Sequence, residues 1–493
     1  MHPLVDYVRQ HAAALAKPMA ERAAALGLRF TLPEGVRDIP LVGTPAIVSA
    51  KALAERQALS AQLTSAGTKA AAALLARPAG SVLRAAFSPI ERDVLEANGP
   101  RVDTLAIARV DFFVNADGTP WALELNTTIP AMSAYSDIAA QAFIEGLARR
   151  FQLSAHEQAD LLRKNGSNTR ALYQALLQGY ARARAGRHPE RIAILCRRQD
   201  AQLTELHYLA TRFREWGTDT EIVFPDELTL GQTNVVARGR AFDLVFRHLF
   251  VRRLEEIEAP AVRALFRQRG PAVLLNPPSA QVEAKTTFAL LSECGHDADL
   301  AAKVRLTESE RHAVVQCVPW TRAFVAGQAS GPGGETISDL VSFVSAQPER
   351  FVLKRSWEYG GKAVFIGAEA DSEGFRERVA NAYGRTLSWP ATCAEAAGDV
   401  RGGGFVVQER IVLPRQEQLL FGQDGVSALS LFVDFSVYAS LGVGEQPPWG
   451  GVCRGSSAQI VNIVGGGGVA PLLLEAVAND LAAASQRRTS APG

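Results

Sequence analysis

Cysteine is scarce in this chain, and its positions follow no pattern that binds a metal or forms a set of disulfides. Cys196, Cys294, Cys317, Cys393 and Cys453 are odd in number, widely separated and without a CxxC pair. This usage argues against a disulfide framework and a structural zinc site, and it is typical of proteins kept in a reducing compartment. We therefore expect a cytoplasmic protein.

Long apolar runs and an excess of one charge are also missing. No segment approaches the roughly 20 apolar residues of a membrane helix, and the first residues lack the apolar core of a signal peptide. The 52 basic and 51 acidic residues leave a net charge of +1. With so little bulk charge, neither nucleic acid nor a membrane is an expected partner.

The length of 493 residues exceeds what one hydrophobic core usually serves, so more than one lobe is expected. Residues 1–100 show apolar positions at helical spacing, which predicts a helical N-terminal region. Residues 101–185 begin with strand alternation and return to helix. In residues 186–300 strands alternate with helices, which is typical of a parallel βαβ unit. Residues 301–493 are β-rich, and the predicted fold class is α/β (α+β).

Two common catalytic patterns are missing. The turn after the first strand of the βαβ unit, residues 197–200, reads RRQD and lacks the GxGxxG of dinucleotide sites. A dinucleotide-dependent oxidoreductase is therefore disfavoured. No Ser/His/Asp or Cys/His arrangement stands out, and His207, His248 and His312 are better explained as solvated or structural side chains.

Residues 108–126 predict a β-hairpin, because they contain two strand-like runs around an Asp-Gly pair. If that pair forms the turn, Asp111 faces Glu124 and Arg109 faces Asn126. Strand side chains alternate between faces, so these four polar groups share one face. The hairpin is therefore predicted to carry a charged face.

The other face of the hairpin would pair Val110 with Leu125 and Phe112 with Leu123, which is a coherent core face. On the charged face, two opposed carboxylates would lie roughly 5 Å apart and repel each other. Mg²⁺ would relieve that repulsion, since it prefers carboxylate and amide oxygens. A solvent-facing hairpin explains the pattern equally well, so the hairpin alone does not distinguish a magnesium site from a charged surface.

Residues 351–366 form a second candidate segment, in which one strand ends at Lys354 and a glycine-rich loop leads into another strand. Glu358, Gly360 and Gly361 lie in that loop. A loop of this kind can fold over phosphates, with backbone N–H groups and the lysine neutralising their charge. A β-hairpin with a basic loop would have the same sequence features.

Three later segments add weaker signals. Residues 406–411 (VVQERI) form an apolar strand that could present backbone groups to an adenine edge. Arg454 follows a Gly-Gly pair and suits an anionic acyl group. The glycine cluster at 465–468 permits close backbone approach, although a surface loop would explain it as well.

Taken together, these segments resemble the ATP-grasp ligases, in the circularly permuted form typified by eukaryotic glutathione synthetase and the synthetase part of glutathionylspermidine synthase. The motifs occur in the permuted order, with the metal-binding hairpin before the lid: RVDFF (109–113), LELNTT (123–128), VEAKTT (282–287), FVLKRSWEYGGKAVFIG (351–367), VVQERI (406–411), GGVCR (450–454) and NIVGGGGVAP (462–471).

The resemblance implies an ATP-grasp fold with ATP held between two β-rich lobes. Residues 101–185 would be the metal-binding half of the core, and 186–300 an inserted domain like the one that precedes the ATP-grasp core in related enzymes. Residues 301–493 would supply the lid and the second half of the core. ATP and Mg²⁺ are the implied cofactors.

The resemblance also implies roles at matching positions. The implied magnesium ligands are Asp111, Glu124, Asn126 and Glu358. The implied contacts to ATP are Lys285, Lys354, Gly360, Gly361, Gln408, Glu409, Ile411, Gly466, Gly467 and Gly468. The groups that would hold the substrate carboxyl or the acyl phosphate, and act in catalysis, are Arg109 and Arg454.

One departure concerns the substrate. Where glutathione synthetase has serines that contact its peptide substrate, this chain has Ile129, Pro130 and Ala131. No stretch resembles the amidase part of glutathionylspermidine synthase either. The resemblance therefore implies a ligase that joins a small-molecule or peptide carboxylate to an amine through an acyl phosphate, and a homodimer is compatible with it.

Two other functions remain open at this stage. A chain with these motifs could bind ATP without ligation and serve as a sensor or scaffold. It could also be a kinase that stops at the phosphorylated product. The set of acids and lysines favours a ligase over the first of these.

Overall fold

The structure is a computed structural model that describes residues 2–489 apart from 79, 116, 269, 359, 461, 462 and 464–466. Its first part is made of helices, four short strands and a long hairpin: α1 (Pro3–Gln10), α2 (Ala12–Leu26), β1 (Arg29–Leu32), β2 (Gly35–Asp38), β3 (Leu41–Val42), β4 (Ala46–Val48), α3 (Ala50–Leu75), α4 (Gly80–Ala86), α5 (Pro89–Asn98), β5 (Leu105–Val114), β6 (Pro120–Asn126), α6 (Ser133–Phe151), α7 (Ala155–Asn165) and α8 (Asn168–Ala183).

The four strands β1–β4 correct the expectation that residues 1–100 are helical throughout. Each spans only two to four residues, which is too short for a period to show in the sequence. Two of them are held by distant strands, because β3 pairs with residues 420–421 and 469, and β4 pairs with residues 472–474. Tertiary pairing therefore decides their conformation.

Several helices begin at a residue that caps free backbone N–H groups. Before α5, the hydroxyl of Ser88 accepts from the Glu91 N–H, and the Glu91 carboxylate accepts from the Ser88 N–H. This reciprocal arrangement is the capping box that the S/T-x-x-E pattern indicates. The same arrangement precedes α7, at Ser154 and Glu157.

The middle of the chain contains β7 (Arg191–Cys196), α9 (Leu203–Glu215), β8 (Asp219–Val223), β9 (Leu228–Leu230), β10 (Val235–Ala237), β11 (Arg240–Phe242), β12 (Leu244–His248), α10 (Pro260–Phe266), β13 (Val273–Leu275), α11 (Ala280–Glu283), α12 (Lys285–His296), α13 (Ala298–Val304) and α14 (Glu308–Cys317). Four of the strands form a sheet in the order β13-β12-β7-β8 with every pair parallel. The parallel topology predicted from the alternation of strands and helices is confirmed.

The last part contains β14 (Thr321–Ala323), β15 (Ala329–Ser330), β16 (Thr336–Ile337), α15 (Leu340–Ser345), β17 (Phe351–Arg355), β18 (Val364–Ile366), α16 (Glu373–Tyr383), α17 (Trp389–Gly398), β19 (Phe405–Glu409), β20 (Gln416–Gly422), β21 (Gly425–Leu441), β22 (Gly451–Ser456), β23 (Gly468–Ala470), β24 (Leu472–Leu474) and α18 (Glu475–Thr489). Short 3-10 helices lie at Pro225–Glu227, Val251–Glu255, Pro348–Arg350, Gly367–Glu369 and Arg401–Gly403. The predicted class, a mixture of helices and strands, is confirmed.

A seven-stranded sheet joins the hairpin to the end of the chain in the order β20-β3-β23-β22-β21-β5-β6. Its longest strand, β21, is antiparallel to β5 on one side and to β22 on the other. The apolar face of the hairpin packs against α3, where a Cβ at Gly67 would lie 2.4 Å from Leu125. Glycine at this helical position therefore permits the close approach of the hairpin.

A four-stranded antiparallel sheet, β14-β19-β17-β18, lies apart from the first and has its own aromatic core. Phe351 and Leu353 of β17 are fully buried in that core, and the rings of Phe365 and Phe405 stack at 5.7 Å. Because strand side chains alternate, Val352 and Lys354 point to the opposite face. That face lines the cavity described below.

A helix that crosses a lipid bilayer needs about 20 mostly apolar residues. Within the residues that the structure covers, no helix is both long enough and apolar enough to cross a membrane.

Candidate functional site

A cavity of about 400 Å³ is lined by strands of both the seven-stranded and the four-stranded sheet. Its volume falls in the range of small-molecule sites. The structure brings together most of the residues singled out from the sequence, and the following line this cavity: Arg109, Asp111, Glu124, Asn126, Lys285, Lys354, Glu358, Gly360, Gly361, Gln408, Glu409, Ile411 and Arg454.

The hairpin has the predicted register where it faces the cavity. Asp111 is paired with Glu124, and Arg109 is paired with Asn126. Arg109 and Asp111 are only 7% and 5% exposed. A solvent-facing charged hairpin is therefore the wrong interpretation for these two residues, because their side chains lie inside the protein.

The tip of the hairpin differs from the prediction. The Asp-Gly pair does not form a two-residue turn, since the Asn115 N–H donates to the Thr119 carbonyl and closes a longer loop. Phe112 consequently pairs with Ala122 rather than with Leu123. A bulge between Asp111 and Phe112 absorbs the difference and restores the predicted pairing at the cavity.

Two arginines and two aspartates form a buried ion network on the sheet. Arg109 donates from Nε to Oδ1 of Asp111 at 2.6 Å and from Nη2 to Oδ2 at 3.0 Å. Arg454 donates from Nη2 to the same Oδ2 at 2.9 Å and from Nε to Asp434 at 2.8 Å. Asp434 and Arg454 are directly opposed on β21 and β22. The network is thus built from three neighbouring strands.

The ionisation of Asp111 follows from this network. Burial alone would raise the pKa of the carboxyl group, but the guanidinium groups of Arg109 and Arg454 outweigh it and lower the pKa to about 2. Asp111 is therefore an anion under all ordinary conditions. Both its oxygens are bound by arginine.

The metal role of Asp111, directly or through water, stays a prediction, which these contacts do not favour. Three of the roughly four lone-pair sites of its carboxylate accept from guanidinium groups. The Asp111 carboxylate holds the side chains of Arg109 and Arg454 in position. Among the described residues Nη1 of Arg454 forms no hydrogen bond, so this nitrogen, on a side chain that lines the cavity, can donate to a bound anion.

Glu124, Asn126 and Glu358 are the other predicted cation ligands, and all three line the cavity. The Glu124 carboxylate is 3.7 Å from the Lys285 ammonium, which also donates to the Glu358 carbonyl at 3.2 Å. Nδ2 of Asn126 is buried and has no hydrogen-bond partner in the described part of the chain. Nδ2 is a hydrogen-bond donor, so this unsatisfied group fits a site that is completed by an acceptor oxygen of a ligand, whereas Oδ1 is the atom of Asn126 that could hold a cation.

The protein groups do not complete a metal cage by themselves. Among the described residues, no three His, Cys, Asp or Glu side chains are placed to hold an ion. Mg²⁺ usually takes one or two carboxylates and completes its shell with water and substrate phosphates. The donor set of Glu124, Asn126 and Glu358 therefore fits magnesium bound together with a nucleotide.

Two lysines project into the cavity from different elements. Lys285 begins α12, and its N–H donates to the Ser356 carbonyl at 3.0 Å, which ties that helix to the end of β17. Lys354 donates to Oε1 of Gln408 at 2.6 Å. Burial lowers the pKa of Lys354 to about 8, and the Lys285 charge acts in the same direction.

The residues predicted to contact adenine lie at the end of β19 and just beyond it. The Gln408 side chain is held by Lys354 and by the Thr321 hydroxyl. The Glu409 carboxylate binds Arg350 at 3.0 Å. Their side chains are therefore committed to neighbours. The Glu409 and Arg410 N–H groups are bonded as well, to the carbonyls of Trp320 and Arg350, whereas the Ile411 N–H has no hydrogen-bond partner among the described residues.

The glycine predictions divide into three groups. Gly360 and Gly361 line the cavity with φ of 67° and 72°, a backbone region that favours glycine. Gly466 lies outside the described residues. Gly467 and Gly468 do not line the cavity, and a Cβ at Gly468 would lie 2.8 Å from the Pro40 carbonyl oxygen. Close sheet packing accounts for glycine at position 468, and its contact with ATP stays a prediction.

Some cavity residues were missed by the sequence analysis. Asp434 is the main one, and the available signal was a lone carboxylate inside the apolar strand β21. Glu283 was the second. It is 8% exposed, accepts from the Thr127 N–H at 2.5 Å and from the Thr128 N–H, and so holds the chain that leaves the hairpin. Burial raises the pKa of Glu283.

These observations define a mixed α/β protein with a charged small-molecule cavity between two β-sheets. No family model and no curated protein matches the chain. Among solved structures it aligns with a glutathione synthetase-like effector from Globodera pallida in its apo form, with a TM-score of 0.57 and 11% identity, over 94% of this chain and 97% of the other. This alignment shows a shared fold.

A second solved structure aligns less well. It is a provisionally assigned gamma-glutamylcysteine synthetase from Methylobacillus flagellatus KT, with a TM-score of 0.40 and 11% identity, over 91% of this chain and 99% of the other. A TM-score at that level does not establish a common fold.

Proposed function

We propose that the protein is an ATP- and Mg²⁺-dependent ligase of the ATP-grasp type that joins a carboxylate to an amine. The observation that carries the proposal is the convergence in one cavity of two lysines, three potential magnesium ligands and a buried arginine pair. Phosphoryl transfer depends on positioning and charge neutralisation rather than on a protein nucleophile. The lysines and arginines of the cavity would provide this positioning and charge neutralisation.

We assign a role to each residue from its position in the cavity. Lys285 and Lys354 would neutralise the phosphates of ATP, and the backbone of 408–411 would meet the adenine. Glu124, Asn126 and Glu358 would hold Mg²⁺, which would supply charge stabilisation at the transferred phosphate. Nη1 of Arg454 would donate to the substrate carboxylate, while Asp111 and Asp434 hold the arginines in place.

The reaction would proceed in two balanced steps. A carboxylate oxygen attacks the γ-phosphorus, an O–P bond forms, and ADP leaves with the electrons of the broken P–O bond. The nitrogen of an amine then attacks the carbonyl carbon of the acyl phosphate. A C–N bond forms, inorganic phosphate leaves with the electrons of the C–O bond, and the nitrogen loses a proton.

Circular permutation and a division into ATP-grasp lobes are part of the proposal. The order of elements supports it, since the hairpin β5–β6 precedes the β17–β18 segment that would form the lid. The shared fold with a glutathione synthetase-like effector also supports it. Under this proposal the parallel sheet of residues 191–275 is the inserted domain, and the substrates are small molecules or peptides.

Hydroxylamine provides the decisive test, because it replaces the unknown amine. The purified protein is incubated with Mg-ATP and a panel of carboxylic acids, and both ADP and acyl hydroxamate are measured. A ligase releases ADP and forms hydroxamate only when an acid is present. A kinase that phosphorylates a hydroxyl or amine group would accumulate a stable product without hydroxamate. A carboxylate kinase would release free acyl phosphate with ADP when both hydroxylamine and amine are left out, and a sensor or scaffold would bind ATP without releasing ADP. Any of these three results would overturn the proposal.

A further inference from the structure

The described lining of the cavity contains three buried carboxylates, and one of them has no cationic partner. Asp111 and Asp434 are 5% and 2% exposed, and both bind arginine. Glu283 is 8% exposed and accepts from the backbone N–H groups of Thr127 and Thr128, both through Oε1. In the part of the chain that the structure describes, no lysine, arginine or histidine forms an ion pair with it. Glu283 therefore presents a carboxylate to the cavity without a bound cation.

The second oxygen of the Glu283 carboxylate is open. A carboxylate can accept hydrogen bonds on both oxygens, yet Oε2 accepts none from the described residues, and the side chain lines the cavity. Arg247 influences this carboxylate without an ion pair, since its guanidinium group donates to the carbonyls of Leu249, Asn276 and Pro277. Oε2 is thus available to a ligand.

The position of Glu283 links the groups assigned to the metal with those assigned to the acyl substrate. The two threonines that it holds directly follow Asn126, the last residue of β6. The same stretch continues to Ala131, whose carbonyl accepts from Nη1 of Arg109 at 2.9 Å. Lys285, which we assign to the phosphates of ATP, lies two residues further along the chain. Glu283 is therefore beside the region in which an acyl phosphate would form.

An amine nitrogen fits this carboxylate better than a second metal ion does. Mg²⁺ needs several oxygen ligands, and among the described residues Glu283 belongs to no group of three His, Cys, Asp or Glu side chains that could hold an ion. One open carboxylate oxygen matches one N–H donor, and hydrogen bonds of this charge-assisted kind are strong. We infer that Glu283 binds the amine substrate through Oε2 and takes the proton that its nitrogen loses. This inference rests on the proposed function.

The second step of the reaction is balanced with Glu283 as the base. The nitrogen attacks the carbonyl carbon of the acyl phosphate, and the C–N bond forms. Phosphate leaves with the electrons of the C–O bond, and the N–H proton moves to Oε2, from which water removes it. The two N–H groups on Oε1 keep the carboxylate oriented. Burial raises the pKa of Glu283, which makes its carboxylate a stronger base.

Glu283→Gln tests the inference, because glutamine keeps an oxygen for the two threonine N–H groups and replaces Oε2 with an NH₂ donor. The full-length variant is studied in single turnovers with Mg-ATP, hydroxylamine and the acid of the panel that gives most hydroxamate. The rate of ADP formation should stay within about twofold, whereas hydroxamate formation should slow by about 10²-fold, as is common on loss of a general base. Equal slowing of both steps, or of neither, would overturn the inference.

Glu205→Gln is the matched control. Glu205 is 1% exposed and also accepts from two backbone N–H groups, those of Met132 and Ala134, but it does not line the cavity. The same exchange there removes a buried carboxylate without reaching the substrates. The ratio of the two rates should therefore stay as in the unaltered protein. A ratio that falls as far as in Glu283→Gln would contradict a specific role for Glu283.

A comparison of two cations tests the same contact in the unaltered protein. Methylammonium has N–H donors for Oε2 of Glu283, whereas tetramethylammonium carries the same charge and has none. At constant ionic strength, methylammonium should compete with hydroxylamine and lower hydroxamate formation, and tetramethylammonium should not. Equal inhibition by the two cations, or none by either, would contradict the inference.

The same measurements separate this inference from the proposed function. If ADP and hydroxamate form in Glu283→Gln at the rates of the unaltered protein, the ligase assignment stands and only the role of Glu283 is wrong. If no acid of the panel causes ADP release in the unaltered protein while Mg-ATP still raises its melting temperature, the ligase assignment itself fails, and the inference fails with it.

Discussion

The polar side chains of the cavity and its apolar lining around Phe30, Ala131 and Met132 are held in different ways. On the polar walls, side chains bind one another, as Asp111 does with Arg109 and Arg454. In the apolar lining, polar contacts are made by backbone atoms, such as the Ala131 carbonyl and the Met132 N–H, while the side chains pack in the hydrophobic core. A substitution on the polar walls therefore removes charged partners, whereas one in the apolar lining changes packing.

The largest expected effect concerns the polar walls. Glu124→Ala combined with Asn126→Ala should reduce Mg-dependent ADP release by about 10³-fold or more, since single charge-stabilising groups are commonly worth 10²–10³. Mn²⁺ binding followed by paramagnetic resonance in the presence of ATP should weaken as well. An unchanged rate and unchanged Mn²⁺ binding would contradict the assignment of these side chains to the metal.

The second prediction tests whether the arginine pair depends on Asp111. Asp111→Asn removes the charge shared by two buried guanidinium groups, which should destabilise the fold by about 3–5 kcal/mol in denaturant unfolding. The control is Asp117→Asn, an exposed aspartate of the same hairpin, for which the change should stay within about 0.5 kcal/mol. Equal effects in the two variants would mean that the network does not stabilise the hairpin.

A smaller loss of stability is expected for a substitution of Asn276, whose hydrogen-bond partners are backbone atoms. Asn276 is 1% exposed and bonds the Ile107 N–H and carbonyl and the Thr127 carbonyl, which fastens the parallel sheet to the hairpin. Asn276→Ala should cost about 1–3 kcal/mol of unfolding free energy, because it leaves buried backbone groups unpaired. Asn381→Ala, at an exposed position of α16, is the control.

The smallest expected effect is a pH dependence. Burial lowers the pKa of Lys354 to about 8, so the free protein loses this charge as the pH rises through that value. Bound phosphates would retain the proton to higher pH, so ATP binding takes up protons and weakens as the pH rises. We expect about a tenfold loss of Mg-ATP affinity between about pH 7 and pH 9.

Lys354→Arg tests that assignment by calorimetry at several pH values. Arginine keeps its charge throughout this range, so the pH dependence should disappear even if the affinity at pH 7 is lower. A pH dependence that persists in the variant would show that another group titrates.

Local patterns predicted much of the fold. The alternation of strands and helices in residues 186–300 indicated the parallel sheet that β7, β8, β12 and β13 form, and the alternation within 108–126 indicated which hairpin residues share a face. Both depend on short stretches of chain, where the period of the side chains is visible. The strands β1–β4 were missed because they are short and take their form from distant partners.

Most of the site residues that were predicted from recognisable sequence motifs line one cavity. Lys285, Lys354 and Glu358 were singled out from their segments, and the structure places them in one cavity. Asp434 was missed because its importance comes from Arg454, which it meets only across two paired strands. For the same reason, the ion pair between Asp111 and Arg454 was not predicted.

The sequence by itself determined which side chains share a strand face, because alternation is a property of the extended backbone. Only the tertiary structure decided which of those side chains find partners. Arg454 and Asp111 are 343 residues apart in the chain, and no local pattern relates them. Pairing of β21 with β5 and β22 brings them together, and their charges in a buried setting then determine that Asp111 binds arginine.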